Sequence, residues 1–172
     1  GSAGGSHGEN AVWRRLRDLY DHEPTIFGKE YGSAGISNCI MQGALGDCWL
    51  IAAIASISST TPGFMRTLFY PAEYNPHGVY SIQFTVHGEP LYIVVDDLVP
   101  CNRGRPIFAH SRSGHNYFVV LLEKAFAKFY GDYSQLDGHN GPTAKGYRAM
   151  ELLTGGISSH TRKPADILGV AK

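Results

Sequence analysis

The longest apolar stretch of the chain begins at Cys48 and is broken by a single serine before Ile57. It is far too short to cross a bilayer, which needs about 20 apolar residues. Because it is apolar around nearly its whole circumference, it predicts a central helix buried on all sides, with Asp47 as its N-cap. A second helix, beginning near His115, is predicted by apolar residues at helical spacing: Phe118, Leu121, Leu122, Ala125, Phe126 and Phe129.

Three shorter helices are predicted around these two. Residues 11–20 have an apolar helical face and follow Asn10, a suitable N-cap. Thr61-Pro62 is typical of a helix start, because proline is favoured at the first helical position. Residues 143–153 form the last predicted helix, which Gly155-Gly156 ends.

Strand signals are concentrated in one part of the chain. Residues 79–86 and 91–95 are β-prone, and the intervening His87-Gly88-Glu89 supplies a glycine for the turn, which predicts a β-hairpin. The glycine-rich residues 21–46 lack any sustained period and predict a long irregular segment. The fold class expected is α+β, with a buried central helix, flanking helices and a small antiparallel sheet.

Length and charge restrict the function. The chain has 172 residues, which suits one compact domain. Lys plus Arg and Asp plus Glu each number 15, so the formal net charge is zero. Proteins that bind nucleic acid or anionic membranes need a basic surplus, so this balance argues against both classes.

The cysteines indicate a cellular compartment. Cys39, Cys48 and Cys101 cannot all pair within one chain, and their spacing is not that of a zinc site. We therefore expect a reducing, intracellular location, the cytoplasm.

The two ends of the chain are expected to lie outside the domain. Gly1 to Ser6 resembles a linker that an expression vector adds, so residues 1–9 are set apart from the fold. The predicted domain covers residues 10–160, and residues 161–172 form a tail or linker.

The most informative motif runs from Gln42 to Trp49 and reads Gln-Gly-Ala-Leu-Gly-Asp-Cys-Trp. Cys48 lies at the first turn of the predicted central helix, where free backbone N–H groups and the helix dipole stabilise a thiolate. A thiolate that attacks a carbonyl requires donors for the developing oxyanion. The Cys48 amide is one donor, and the Gln42 side chain is the second candidate. Gly43 and Gly46 allow the connecting loop to bend tightly.

The same residues also have plain structural interpretations. A single cysteine on an apolar helix is usually a small core residue. Trp49, taken alone, is also more often a core residue than a functional one. The combination of Gln, two Gly, Cys and Trp at a helix start is what favours a nucleophile at Cys48.

This combination resembles the nucleophile segment of papain-like cysteine proteases, and its continuation Leu-Ile-Ala-Ala-Ile-Ala-Ser is similar to the calpain family in particular. The likeness continues in order through residues 94–100, 108–111, 121–128 and 153–156. From about Gln42 to Gly156, the chain is identified as similar to the first, Cys-bearing subdomain of the calpain protease core.

The resemblance implies a cleft between two subdomains, the first carrying Cys and Gln and the second His and Asn. Cys48 is then the nucleophile and Gln42 an oxyanion donor, with Gly46, Asp47 and Trp49 as oxyanion or packing neighbours. The implied reaction is hydrolysis of internal peptide bonds in protein substrates through a thioester acyl-enzyme.

A catalytic cysteine also needs a histidine within hydrogen-bonding reach. None of the eight histidines stands in the family's Gly-His context, and no Asn-Pro-Trp-Gly segment occurs. His110 and His115 are the candidates for a position near the cleft, but surface or loop-capping roles are favoured for both. We expect the chain alone to be inactive.

The resemblance further implies a calcium ion, held by the loop before Gln42 and by an acidic residue on the long helix. Glu123 matches the helix residue, and a solvent-facing charge is its alternative role. Cys39 stands where the family has an Asp, which leaves Asn38 and the backbone carbonyls of residues 32–35 as oxygen ligands. Because a thiol is a poor ligand for a hard cation, calcium binding is expected to be weak or absent.

Asp96 and Asp97 are adjacent carboxylates, but neighbours on a strand point to opposite faces. A structural role, in an arginine pair or a loop cap, is therefore expected for them.

Two other functions compete with the protease. A non-catalytic calpain-like regulator or scaffold is consistent with the missing Asp at Cys39, because a fold does not guarantee activity. A redox-sensing domain is the third hypothesis, through Cys39 and Cys48, which lie nine residues apart in sequence.

Overall fold

The computed structural model describes residues 11–29, 31, 36–112, 114–138 and 146–158, apart from the side chains of Ser37 and Asn38. The helices are α1 (Ile36–Cys39), α2 (Cys48–Thr60), α3 (Phe64–Thr67), α4 (Phe118–Tyr130) and α5 (Gly146–Thr154), with 3-10 helices at Leu16–Asp18 and Tyr133–Leu136. The strands are β1 (Val12–Arg15), β2 (Ile40–Met41), β3 (Phe69–Tyr70), β4 (Val79–Val86), β5 (Glu89–Asp96), β6 (Leu98–Asn102), β7 (Arg105–Pro106) and β8 (His110–Ser111). This mixture confirms the α+β class.

The described strands form small antiparallel sheets, with strand orders β1-β6-β7, β2-β8 and β3-β4-β5. The predicted hairpin is confirmed as β4 and β5, which pair along their whole length from Val79↔Asp96 to Val86↔Glu89. His87 and Gly88 form the two-residue turn with φ of +53° and +84°. Positive φ at both positions gives a turn whose twist matches that of the strands.

The core lies between α2, α4 and the inner face of the hairpin. Phe126 on α4 is completely buried and contacts both neighbours, with its ring centroid 4.6 Å from that of Phe84 on β4 and 6.3 Å from that of Trp49 on α2. The two long helices predicted from apolar spacing are therefore confirmed as the centre of the domain, and α5 packs against α2 and β4.

The predicted helix over residues 11–20 is wrong. Val12–Arg15 forms β1 and pairs antiparallel with β6, and a 3-10 turn at Leu16–Asp18 follows. Pairing with a strand more than 80 residues away satisfies the backbone, and Leu16 becomes fully buried. The expected N-cap, Asn10, lies outside the described residues.

Burial of α2 on all sides is also wrong. Its inner face, with Leu50 and Ile54, is completely buried. Five residues of α2 are exposed, and they lie along one stripe because residues three and four apart share a face of a helix. They are Cys48, Ala52, Ser56, Ser59 and Thr60. The nucleophile candidate therefore stands on the open side of a helix whose other side forms the core.

The boundaries of two short helices differ from the prediction. The helix expected to open at Thr61-Pro62 begins instead at Phe64, after Gly63 with φ of +90°. α5 is described from Gly146, and the expected start at Thr143 lies outside the described residues. Its end is as predicted, since Gly155 has φ of +71° and its N–H donates to the Glu151 carbonyl at 2.8 Å.

Candidate active site

The loop that leads from β2 to α2 is fixed against the backbone before β8. The Ala44 N–H donates to the Ile107 carbonyl at 2.9 Å. A Cβ on Gly43 would lie 2.3 Å from that carbonyl oxygen and 2.4 Å from the Phe108 Cα. Glycine is needed at position 43 because another backbone passes over it, and this close approach holds the loop in place.

Cys48 and Gln42 are both exposed at the two ends of this loop. Cys48 is the first residue of α2, and its N–H precedes the first hydrogen bond of the helix, which the Leu50 N–H donates to the Asp47 carbonyl. The Gln42 side-chain amide donates to the Leu45 carbonyl at 2.6 Å. That bond orients the amide along the loop and uses one of its two N–H groups.

Trp49 is half-buried and anchors the start of α2. Its indole N–H donates to the Leu136 carbonyl at 2.9 Å, and its ring meets Phe126 edge to face. Two residues beyond Leu136, the Gly138 N–H donates to the Gly46 carbonyl at 2.9 Å. Gly46 and Trp49 thus attach the loop and helix start to the segment that follows α4, as packing neighbours of Cys48.

The 3-10 helix that presents Leu136 has its own cap. Asp132 accepts hydrogen bonds from the Ser134 hydroxyl, the Ser134 N–H and the Gln135 N–H at 2.6, 2.7 and 3.3 Å. These bonds, the hydroxyl bond foremost, stabilise the carboxylate and lower the pKa of Asp132. An Asp-x-Ser segment is a sequence signal for such a turn.

Asp47 occupies the N-cap position of α2, but its side chain makes no capping bond, which corrects the expected role. Its backbone carbonyl accepts from the Leu50 and Ile51 N–H groups at 2.8 and 3.2 Å and so begins the helix. Its carboxyl group points inward and is completely buried. The side chain faces Glu123 on α4 instead of the helix amides.

Glu123 is buried as well, so the solvent-facing alternative for this residue is wrong. It is 1% exposed, and the Ala109 N–H donates to both of its carboxyl oxygens at 3.1 Å. Burial raises the pKa of Glu123 well above its usual value, and the nearby Asp47 raises it further.

Asp96 and Asp97 have the structural roles expected of them. Asp97 is 1% exposed and forms an ion pair with Arg15, at 2.6 Å between Nη1 and Oδ1. Asp96 points the other way, accepts from the Leu98 N–H at 2.9 Å and pairs with Lys124. Both carboxylates stabilise the junction of β1, β5 and β6.

The comparison with known families decides which family the chain belongs to. The profile of the calpain family cysteine proteases matches residues 3–168 of the chain. The chain belongs to the calpain family.

Individual calpains support the same assignment. Calpain-8 of Mus musculus is 36% identical over 165 residues, covering 94% of this chain and 22% of the relative. Calpain-2 catalytic subunit of Bos taurus is 38% identical over 148 residues, covering 85% and 20%. Calpain-type cysteine protease DEK1 of Zea mays is 38% identical over 132 residues, covering 73% and 6%. The chain spans about a fifth of the length of the two animal calpains.

The structure describes one side chain of the calcium site that the calpain resemblance implies, that of Glu123. Both of its carboxyl oxygens accept from the Ala109 N–H at 3.1 Å, and the side chain is buried. The Cys39 carbonyl accepts from the Arg112 N–H at 2.8 Å.

Within the described ranges, no cluster of three or more His, Cys, Asp or Glu side chains is arranged to hold a metal. The Asn38 side chain and residues 32–35 lie outside the described part of the chain, so the expectation of weak or absent calcium binding stays a prediction.

The two candidate histidines make local contacts. His110 Nδ1 lies 2.9 Å from the Phe108 carbonyl, and the His115 ring stacks on the His22 ring with centroids 4.1 Å apart. His7, His139 and His160 lie outside the described residues.

Sequence reasoning missed two contacts of the site, Leu136 with Trp49 and Ala109 with Glu123. In both contacts the partner contributes a backbone group, and the type of an amino acid does not indicate what its backbone groups will bind.

The described helices include none with the length and apolar character to span a bilayer.

Proposed function

We propose that this chain is the cysteine-bearing half of the protease core of a cytoplasmic calpain-like endopeptidase, with its domain at residues 10–160. Residues 161–172 lead to a second subdomain that supplies the catalytic His and Asn. The observation that carries the proposal is the exposure of Cys48 at the first residue of a helix whose opposite face is completely buried. A cysteine kept only for packing would face the core.

The chemistry assigned to Cys48 is acyl transfer. Its sulfur attacks the carbonyl carbon of a peptide bond, the C–N bond breaks, and the amine leaves with a proton from the partner histidine. Water then attacks the thioester, releases the carboxylic acid and returns the thiol.

The oxyanion that forms in each step needs hydrogen-bond donors. The Cys48 backbone N–H, in the first turn of α2, is one donor. The remaining N–H of the Gln42 amide is the second, since the bond to Leu45 already orients that side chain. The Gly43 contact with Ile107 supports this arrangement because it fixes the loop between the two donors.

The exposed stripe of α2 favours a partner subdomain on this side. Ala52 and Ser56 continue the face that begins with Cys48, and both are exposed. Small side chains allow close approach of another surface. A cleft with Cys48 at its edge would form between the two subdomains.

Hydrolysis of a labelled protein substrate tests the proposal. The chain alone is expected to show no turnover, and a form extended with the natural sequence that follows Lys172 is expected to hydrolyse the substrate. Cys48→Ala should lower the rate of the extended form about a thousandfold or more. Cys39→Ala is the matched control and should leave the rate unchanged.

Two outcomes would overturn parts of the proposal. Hydrolysis by the chain alone that disappears in Cys48→Ala would show that no second subdomain is needed. Hydrolysis by the extended form that survives Cys48→Ala would exclude Cys48 as the nucleophile.

A second function, a non-catalytic calpain-like regulator or scaffold, is favoured by Cys39, which stands where the calpain resemblance implies an acidic calcium ligand. It predicts an extended form that is folded and binds protein substrates without cleaving them.

A redox role stays a prediction. The three thiols are free, with Cys48 exposed, Cys39 half-buried and Cys101 buried.

A further inference from the structure

The chain turns back on α5 directly after that helix ends. The Ser158 N–H donates to Glu151 Oε1 at 3.1 Å, and the Ser158 hydroxyl donates to the same oxygen. Glu151 lies in the last turn of α5, seven residues earlier in the sequence. Residues 155–158, called the exit loop below, are therefore closed onto the helix by two hydrogen bonds to one carboxylate.

Glu151 holds both ends of the exit loop. Its backbone carbonyl accepts from the Gly155 N–H at 2.8 Å, and its carboxylate accepts from Ser158. Between these two points, the Gly156 N–H donates to the Thr154 hydroxyl at 3.1 Å. The path of the exit loop is thus set by hydrogen bonds to the last turn of α5.

Burial does not fix this path. Residues 154–158 are all exposed, and the Ile157 side chain is 99% exposed. The exit loop touches the hairpin beside Thr85, where a Cβ on Gly155 would lie 3.2 Å from Cγ2, and a cavity of about 720 Å³ lies between the loop, the hairpin turn and the end of α4. Because glycine backbone adopts many conformations, the chain after Gly155 would leave α5 in many directions without the bonds to Glu151.

The bonds to Glu151 turn the chain toward the end of α5 that lies beside the proposed nucleophile. Side chains on a helix lean toward its N-terminus, so Ser158 is held about one turn before the end of the helix. α5 packs along α2 and begins at Gly146, where a Cβ would lie 3.5 Å from the Trp49 carbonyl oxygen. Trp49 follows Cys48 in the chain. The residues after Ser158 therefore start on a course toward Cys48.

We propose that Glu151 is a positioning residue of the protease: by holding Ser158, it directs the chain that follows toward the Cys48 side of the domain, where the second subdomain completes the cleft. This inference rests on the proposed function, because it concerns how the catalytic His and Asn reach Cys48. A linker that starts in the right direction raises the effective concentration of the module that it carries. Loss of the bonds removes no catalytic group, but it lowers the share of molecules in which the two subdomains are docked.

The charges around Glu151 favour the bonded carboxylate. The bond from the Ser158 hydroxyl and then that from the Ser158 N–H lower the pKa of Glu151, and the charge of Arg148, one turn earlier on α5, acts in the same direction. Hydrogen bonds to a charged acceptor are stronger than those between neutral partners. Two such bonds are enough to hold an exposed segment in one direction.

Amide hydrogen exchange of the chain, followed by NMR, tests the bonds. The Ser158 amide is expected to exchange about tenfold or more slowly in the wild type than in Glu151→Ala, which removes the carboxylate and keeps the backbone carbonyl. Ser158→Thr keeps both donors and should keep the slow exchange at position 158. Glu89→Ala, which removes an exposed carboxylate from the hairpin, is the control and should match the wild type. Equal exchange in Glu151→Ala and the wild type would overturn the proposal.

Paramagnetic broadening tests the direction. A nitroxide is attached to the exposed Cys48 in a Cys39→Ala background, since Cys101 is buried. The amide signals of the residues after Ser158 are expected to be broadened in the wild type and to lose most of that broadening in Glu151→Ala. The same broadening in both would show that Glu151 does not direct the chain toward Cys48.

Hydrolysis by the extended form separates this inference from the proposed function. Glu151→Ala should lower the rate about tenfold, the effect on docking of losing hydrogen bonds to a charged group, and Ser158→Thr should retain the rate. If Glu151→Ala hydrolyses protein as fast as the wild type, the positioning role is wrong and the proposed function stands. If the extended wild type does not hydrolyse protein, the proposed function fails, whereas the exchange and broadening results still decide how Glu151 directs the chain.

Discussion

The indole N–H of Trp49 donates to the backbone carbonyl of Leu136 at 2.9 Å, across 87 residues of sequence. This bond joins the first turn of α2 to the 3-10 helix that Asp132 caps. The residue next to Cys48 is therefore held by a segment that packs on α4, and the position of Cys48 depends on that attachment.

Trp49→Phe should lower the free energy of unfolding by about 1 to 3 kcal/mol, because the buried Leu136 carbonyl loses its donor and part of the ring contact is lost. Urea denaturation followed by circular dichroism measures the change. Tyr92→Phe, on the exposed face of β5, is the control and should remain within about 0.5 kcal/mol. A loss for Trp49→Phe no larger than the control would contradict the anchoring role.

Gly43→Ala is expected to disturb the loop before Cys48. The new Cβ would lie 2.3 Å from the Ile107 carbonyl oxygen, and because the neighbour is backbone, the two segments must separate. We expect a loss of about 2 to 3 kcal/mol of unfolding free energy and a changed alkylation rate of Cys48.

Gly104→Ala separates this steric effect from the conformational preference of glycine. Gly104 has φ of +79° with open space around its missing Cβ. Its substitution should lower the free energy of unfolding by about 1 kcal/mol through backbone strain alone. The alkylation rate of Cys48 should not change. Similar changes in the alkylation rate of Cys48 for Gly43→Ala and Gly104→Ala would contradict the contact between the loop and Ile107.

Local patterns predicted the parts of the fold whose partners are near in sequence. The apolar spacing of α4 and the glycine in the turn of the β4–β5 hairpin are local signals, and the predicted helix and hairpin are both confirmed. The second strand begins at Glu89, two residues before the predicted start. The exposed side of α2 was missed because alanine and serine at positions 52 and 56 are compatible with either environment.

Long-range partners explain the other errors. β1 has a helical apolar spacing, but its backbone pairs with β6, so tertiary pairing overrides the local preference. The position of Asp47 suggested a cap, whereas its side chain meets Glu123, 76 residues later in the sequence. For the site, the motif predicted which residues lie beside Cys48, and the backbone partners at Ile107, Ala109 and Leu136 became visible only in the fold.

The Arg15–Asp97 pair at the β1–β6 junction predicts a contrast between two neighbouring arginines. Arg15→Ala leaves the buried Asp97 carboxylate without its cation and should clearly lower the free energy of unfolding. Arg17 pairs with Asp18 at 3.8 Å, with both side chains more than half exposed. Arg17→Ala should therefore change stability by no more than about 0.5 kcal/mol. Thermal denaturation of the two variants side by side checks this, and equal losses would show that Arg15 does not compensate Asp97.

The raised pKa of Glu123 predicts how stability depends on pH. An acid whose folded pKa lies above its unfolded value binds more protons in the folded state, so its contribution is fully present below about pH 4.5 and is lost as the pH rises toward the folded value. Glu123→Gln cannot titrate and should show a flatter decline of unfolding free energy above pH 4.5 than the wild type. Urea denaturation at a series of pH values measures both curves, with Glu89→Gln expected to follow the wild type. Parallel curves for the wild type and Glu123→Gln would mean that Glu123 does not retain its proton in the folded protein.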